Sequence, residues 1–160
     1  MKFVADHMLG RLAKWIRVLG YDVVYRVPFP PDELLRIARA EGRIVLTRSG
    51  KLAGRCVSER LILIRSQHVD EQLAQVIGEL QLDTESGLLS RCLICNLKIK
   101  PIPKGEVEGQ VPEYVYSTQD SFSICPGCGR IYWAGTHYRK MKDFLERVKR
   151  SGGKTRNAHQ

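Results

Sequence analysis

The chain has 160 residues, 43% of them hydrophobic, and a formal net charge of +9. That length suits one domain of ordinary size, or one such domain with a small metal-stapled module beside it. No apolar run approaches the roughly 18 residues of a membrane-crossing helix, which excludes a helical membrane protein. Nothing at the start reads as a cleavable leader, so the expected compartment is the cytoplasm.

In chain order, residues 2–5 (Lys-Phe-Val-Ala) read as a short buried strand ending at Asp6. Met8, Leu9, Leu12, Trp15, Ile16 and Leu19 then recur at helical spacing until Gly20 stops the helix. Arg11, Lys14 and Arg17 share the opposite face of that helix and form a candidate phosphate-tracking stripe. Residues 22–26 form a second strand, and Pro28, Pro30 and Pro31 break the chain after it. A second helix covers 32–41, with Asp32 and Glu33 in its first turn as the helix dipole prefers. Residues 43–47 and 61–64 are the third and fourth strands, and 70–80 is a third helix with Asp70 as its expected cap. Continuous aliphatic strands alternating with helices are the mark of a parallel sheet covered on both faces. Residues 1–85 are therefore an α/β domain, with a linker over 82–90.

The second half is built around two Cys-x-x-Cys pairs, Cys92–Cys95 and Cys125–Cys128, with 29 residues between them. Four thiolates at this spacing satisfy tetrahedral Zn²⁺ and leave no position open for catalysis, so the ion is structural. Two disulfides would instead need an oxidising compartment. A zinc ribbon is expected over 91–135, a basic helix over 136–150 with Met141, Phe144, Leu145 and Val148 on its apolar side, and a disordered tail over 151–160. Cys56 is left over and reads as a plain thiol.

Charge is unevenly placed. Residues 1–90 carry 13 Lys/Arg against 11 Asp/Glu, whereas residues 91–160 carry 13 against 6. A basic metal module on a near-neutral domain points to a polyanionic partner, with nucleic acid first.

In an open parallel sheet, ligands gather beyond the carboxyl ends of the strands. Asp6 follows the first strand, Asp32 and Glu33 open the helix after the second, and Thr47-Arg48-Ser49 follows the third, so all lie on that edge. Asp22 starts a strand and is assigned to the opposite edge. Carboxylates converging on one edge repel unless a cation sits between them, and Mg²⁺ or Mn²⁺ is the natural occupant. That arrangement suits phosphodiester hydrolysis, with Arg48 and Lys51 placed to steady a phosphate.

Phe3-Val4-Ala5-Asp6-His7-Met8-Leu9-Gly10-Arg11-Leu12-Ala13, Leu19-Gly20-Tyr21-Asp22 and Arg43-Ile44-Val45-Leu46-Thr47-Arg48 closely resemble the Mut-seven C-terminal RNase domain family. So do Arg91-Cys92-Leu93-Ile94-Cys95-Asn96 and the run from Cys125 to Tyr138. The resemblance implies a PIN-like nuclease fold followed by a zinc ribbon, and cleavage of RNA by a divalent metal held on clustered carboxylates. RNA is then the expected partner, with the ribosome or tRNA as candidate targets. Asp6 corresponds to the first metal-ligating acid and Asp32 to another candidate. One departure stands out: the family typically has Asp where this chain has Ser49, which removes a negative charge and a hard oxygen ligand. The alternative to an active ribonuclease is therefore an RNA- or ribosome-binding protein with weakened catalysis.

Overall fold

The structure, a computed structural model, describes residues 1–57 and 59–157. Four parallel strands, β1 (Lys2–Ala5), β2 (Asp22–Val24), β3 (Ile44–Thr47) and β4 (Leu61–Leu63), form a sheet in the order β2-β1-β3-β4. The helices are α1 (Gly10–Val18), α2 (Pro31–Glu41), α3 (Gly50–Arg55) and α4 (Val69–Leu80). Side chains alternate across a strand, and this divides the core in two. Phe3, Ala5, Ile44 and Leu46 face α1 and α4, while Val4 and Val45 face α2 and α3. All four strand residues of β3 are buried, as continuous aliphatic strands require in a two-sided sheet.

After β3 the chain enters helix α3 at once, capped by the Ser49 hydroxyl, which accepts a hydrogen bond from the Leu52 N–H at 3.1 Å. Helix α4 starts one residue before its expected bound. His68 occupies the capping position, and Asp70 lies in the first turn, where its charge meets the helix dipole.

The second half holds a three-stranded antiparallel sheet of β5 (Lys100–Ile102), β6 (Phe122–Ile124) and β7 (Ile131–Tyr132), with a short helix α5 (Glu113–Thr118) inserted before β6. Its own core is small: Val107, Val115 and Phe122 are buried, with Trp133 and Ile131 packed against them. The long helix α6 (Thr136–Asn157) then turns back onto the first half. Leu145 and Val148 enter the core shared by α1 and α4, and the Phe144 ring stacks on Trp15 with centroids 4.2 Å apart. The helix passes Arg150, its expected end, and runs to Asn157; once its apolar side is docked, each added turn extends a formed helix. The rest of the expected disordered tail, 158–160, lies outside the described residues. Among the described residues, no helix is long and apolar enough to cross a membrane.

The stretch expected as a free linker is bound along α1. Leu82 is buried in the main core, and the Leu89 N–H donates to the Val18 carbonyl at 2.7 Å. Gly87 faces Gly20, which has φ +95°, and a methyl group built on Gly20 would sit 2.1 Å from the Gly87 carbonyl oxygen. Gly20→Ala thus combines a left-handed backbone penalty with a backbone clash. It is expected to lower stability by about 2–4 kcal/mol, read as an earlier urea-unfolding midpoint at unchanged slope.

Candidate active site and metal centre

The connection from β1 to β2 runs outward on one side, and β3 and β4 lie on the other, so the strand order reverses between β1 and β3. Ligands in open α/β sheets bind at the carboxyl ends beside such a switch point. Here the two strand ends present Asp6 and Thr47. Asp6 is 5% exposed, and both carboxylate oxygens are engaged. Thr47 Oγ1 donates to Asp6 Oδ2 at 2.8 Å, and His7 Nδ1 lies 2.8 Å from Asp6 Oδ1. The same Thr47 oxygen accepts the Ser49 N–H at 3.0 Å. A chain of short bonds therefore links the first acid to the Ser49 position, which is the place where the third strand leaves the sheet. With Nδ1 turned to the carboxylate, His7 presents Nε2 outward from a half-exposed ring. The Tyr25 hydroxyl donates to the His7 carbonyl at 2.7 Å and braces the loop.

The other expected residues are distributed differently. Asp32 sits in the first turn of α2 with its side chain 86% exposed, and it pairs with Arg55 at the end of α3. That hydrogen-bonded guanidinium holds its carboxyl below the usual range. Arg48, Lys51, Arg11 and Lys14 are exposed, as phosphate contacts must be. Arg17 departs from the expected stripe. It is only 9% exposed, and its guanidinium is consumed by backbone carbonyls: Val23 at 3.0 Å, Leu93 at 2.9 Å and Ile94 at 3.3 Å. Burial pulls its pKa down, with nearby acids and thiols opposing. Arg17 is a clamp between the two halves and not a phosphate contact. The helical period placed it opposite Leu12 and Ile16, but the first cysteine turn covers that face.

Asp22 does lie on the opposite edge, paired with Lys2 at the first positions of β1 and β2. It accepts from Arg43 at 2.8 Å and from Asn96 Nδ2 at 2.7 Å. Burial would raise its carboxyl, but these two partners outweigh it and hold the group below the usual carboxylate range. The Asn96 Oδ1 also accepts the Val23 N–H at 3.1 Å, and Arg91 donates to the Gly20 carbonyl at 3.1 Å. Asn96 and Arg91 were not singled out from sequence for any role. The available signal was position: Asn96 follows Cys95 as Gly129 follows Cys128, and both residues have positive φ, 65° and 75°.

Those two left-handed residues close a matched pair of cysteine turns. In the first, the Cys95 N–H points to Cys92 Sγ at 3.4 Å; in the second, the Gly127 N–H points to Cys125 Sγ at 3.3 Å. A methyl group built on Gly127 would meet the tip of the Leu97 side chain at 2.7 Å, so a larger residue there would displace Leu97. The four sulfurs all lie within 4.8 Å of one another, and Cys92 and Cys128 are 3.8 Å apart. A tetrahedron with metal–sulfur bonds of about 2.3 Å has sulfur–sulfur edges of about 3.8 Å, so the donor set fits Zn²⁺. His137 is not part of the cluster. The Tyr132 hydroxyl donates to Cys92 Sγ at 3.1 Å, a supporting bond that the cysteine spacing does not signal. Burial raises the Cys92 thiol, but the Tyr132 hydroxyl and the turn N–H groups bring it down to about 6. Cys95 is pushed up to about 12 by hydrogen bonding to Cys128 and by burial. Closely packed thiolates oppose one another in this way unless a cation joins them. This is the one cluster of three or more His, Cys, Asp or Glu ligand atoms among the described residues; no such triplet includes Asp6 or Asp32.

Comparison with known proteins agrees with this architecture. A model of the Mut7-C RNAse domain matches residues 1–145, which span both the Asp6 edge and the cysteine centre. No curated protein and no solved structure matches the chain. With nine-tenths of its length matched in order, the parallel sheet carrying Asp6 and the four-cysteine centre behind it identify the chain as a member of the Mut7-C RNAse domain family.

Proposed function

We propose that the protein is a PIN-like, metal-dependent ribonuclease that hydrolyses RNA phosphodiesters at the Asp6–Thr47 edge. Asp6 and Asp32 are the candidate ligands for Mg²⁺ or Mn²⁺, and the zinc ribbon is a structural support that also carries part of the basic surface. The observation that carries this reading is a buried carboxylate at the switch point of a chain from an RNase family. A divalent ion bound there would neutralise phosphate charge and lower the pKa of a bound water. The chain's own contribution is orientation. Thr47 fixes the Asp6 carboxylate, His7 presents Nε2 beside it, and Arg48 and Lys51 offer charge to flanking phosphates. Arg139, Lys140, Lys142, Arg147 and Arg150 form exposed positive charge along α6 that suits RNA in a salt-sensitive way. The ribosome or tRNA in the cytoplasm are the targets this reading favours.

A second reading, RNA binding with weakened catalysis, is favoured by Ser49. Its hydroxyl is occupied in capping α3, and it supplies no carboxylate at the end of β3. Ser49→Asp separates the two readings without harming the fold, because aspartate caps a helix as well as serine does. With Mn²⁺ present, the variant is expected to cleave single-stranded RNA at least ~10-fold faster than the parent chain, at an unchanged melting temperature. A variant that binds RNA but shows no gain over a silent parent favours binding alone.

A further inference from the structure

The second half is divided by charge. Residues 105–120 carry Glu106, Glu108, Glu113 and Asp120 and no Lys, Arg or His. The segments on either side of that insert, 91–104 and 121–135, carry Arg91, Lys98, Lys100, Lys104 and Arg130 and no Asp or Glu. The sheet separates the two signs in space. Lys100 pairs with Ile124 and Ile102 with Phe122, so the cysteine turns lie at one end of β5 and β6 and the insert lies at the other. Lys104 belongs to the insert end, 3.7 Å from Asp120. Arg91 is spent on the Gly20 and Asn96 carbonyls. Lys98, Lys100 and Arg130 are exposed, and none of them pairs with a carboxylate among the described residues.

The cysteine end also exposes apolar side chains. Ile94 is 58% and Leu97 45% exposed. Leu97 reaches over the second turn, with its tip against Gly127. Arg130 holds in the second turn the place that Leu97 holds in the first: the Cys125 N–H donates to the Arg130 carbonyl as the Cys92 N–H donates to that of Leu97. The paired turns therefore bring two apolar side chains and unpaired cations to one end of the module. The cations outnumber what four thiolates around a divalent ion need for compensation. Such a surface suits single-stranded nucleic acid, whose bases lie on apolar side chains while its phosphates meet the cations.

We propose that the cysteine end of the ribbon is a second RNA-holding surface, which takes an unpaired base on Ile94 and Leu97 and the adjoining phosphates on Lys98 and Arg130. The acidic insert repels the strand and keeps it to that end. The proposal rests on the RNA reading above, and it adds where the strand is held away from the cutting edge. Asn96 ties the cysteine end to Asp22, at the amino edge of the parallel sheet. The four residues of β1 set that edge about 13 Å from the Asp6 edge. A strand that reaches both is longer than a dinucleotide, and the contact at the cysteine end reads no sequence.

The test is binding of a short mixed-sequence single-stranded RNA to the full zinc-loaded chain, followed by fluorescence anisotropy over a series of salt concentrations. Each phosphate contact on a single strand adds about 0.7 to the slope of log affinity against log salt. Lys98→Gln combined with Arg130→Gln is expected to lower that slope by ~1.4. Ile94→Ser is expected to weaken binding ~5-fold at an unchanged slope. Glu108→Gln combined with Glu113→Gln, at the far end of the module, is expected to change neither. A second measurement needs no variant: photo-crosslinking of 4-thiouridine RNA to the unaltered chain is expected to place adducts within residues 92–98 and none within 105–120. An unchanged slope in the Lys98/Arg130 variant, or adducts in the insert and not in the cysteine turns, overturns this surface and leaves the ribonuclease reading standing. An oligo(Glu) peptide that displaces the RNA as well as unlabelled RNA does makes this a surface for acidic protein, and overturns it too. Failure of the unaltered chain to bind RNA overturns the RNA reading itself, and the proposal falls with it.

Discussion

Stripping the metal from the four-cysteine centre, or replacing Cys92 with serine, is expected to unfold residues 91–135 and to destabilise the α/β half as well. The first effect follows from size. Three buried side chains, Val107, Val115 and Phe122, make too small a core to order some 45 residues alone. Structural zinc supplies apparent folding free energy on the order of 10–16 kcal/mol in comparable small modules. The second effect follows from the docking of the first cysteine turn on the sheet edge. Two carbonyls of that turn, at Leu93 and Ile94, take hydrogen bonds from the buried Arg17. Asn96, just past it, satisfies the Val23 N–H and the Asp22 carboxylate together. Losing the turn leaves a buried guanidinium, a strand N–H and a carboxylate short of partners, each worth about 1–3 kcal/mol. Allowing for solvent entering the gap, the α/β half is expected to lose ~3 kcal/mol, or roughly 12–24 °C in Tm.

The chain carries its own reporters, because its two tryptophans fall in different halves: Trp15 stacks on Phe144, and Trp133 packs against Phe122. In Trp133→Phe protein, the Trp15 melting transition should move down on chelation. If it stays in place while Trp15→Phe protein loses its Trp133 signal, the halves are independent and the Arg17–Asn96 network is ornamental.

Asp6→Asn is expected to cut metal-dependent RNA cleavage by ~10²-fold or more while changing RNA affinity less than about threefold. The substitution removes the charge yet can keep the local bonds. The amide oxygen can keep the Thr47 hydroxyl, whose site is sealed from solvent, and the amide nitrogen can donate to His7 Nδ1 once that ring carries its proton on Nε2. The folding cost should therefore be ~1 kcal/mol, too little to account for a large loss of activity. Cleavage by Asp6→Asn at the parental rate, with Mn²⁺ present, would mean that hydrolysis does not run through this edge.

Much of the fold could be read before any coordinates. The strand and helix order emerged because two-sided burial leaves unbroken aliphatic runs and one-sided burial leaves a 3.6-residue period. Gly20 ended its helix as expected, and Gly42 ends α2 in the same way, both at positive φ. The metal centre was legible because four identical ligands at fixed spacing are a local signal. Asp6 was legible because a residue just past a parallel strand must lie on the carboxyl edge. Asp22 was set aside by the same rule, and its bonds to Arg43 and Asn96 explain what it does instead.

The failures share one cause. Periodicity reports which face of a helix is buried or wet, but not what lies against it. Arg17 read as a wet face, yet its partners Leu93 and Ile94 are 76 and 77 residues away in the chain. Helix α6 read as a basic helix with Met141, Phe144, Leu145 and Val148 on its apolar side, but only packing showed that this side docks on α1 and α4. Ser49 read as a missing acid, and its geometry adds that the hydroxyl already has a partner in α3. Composition and spacing alone determined an α/β sheet with an acid on its edge and a tetrathiolate module behind it. Tertiary structure decided how the halves are joined and which polar groups remain available to a ligand, because hydrogen-bond partners distant in sequence are chosen only when the chain closes on itself.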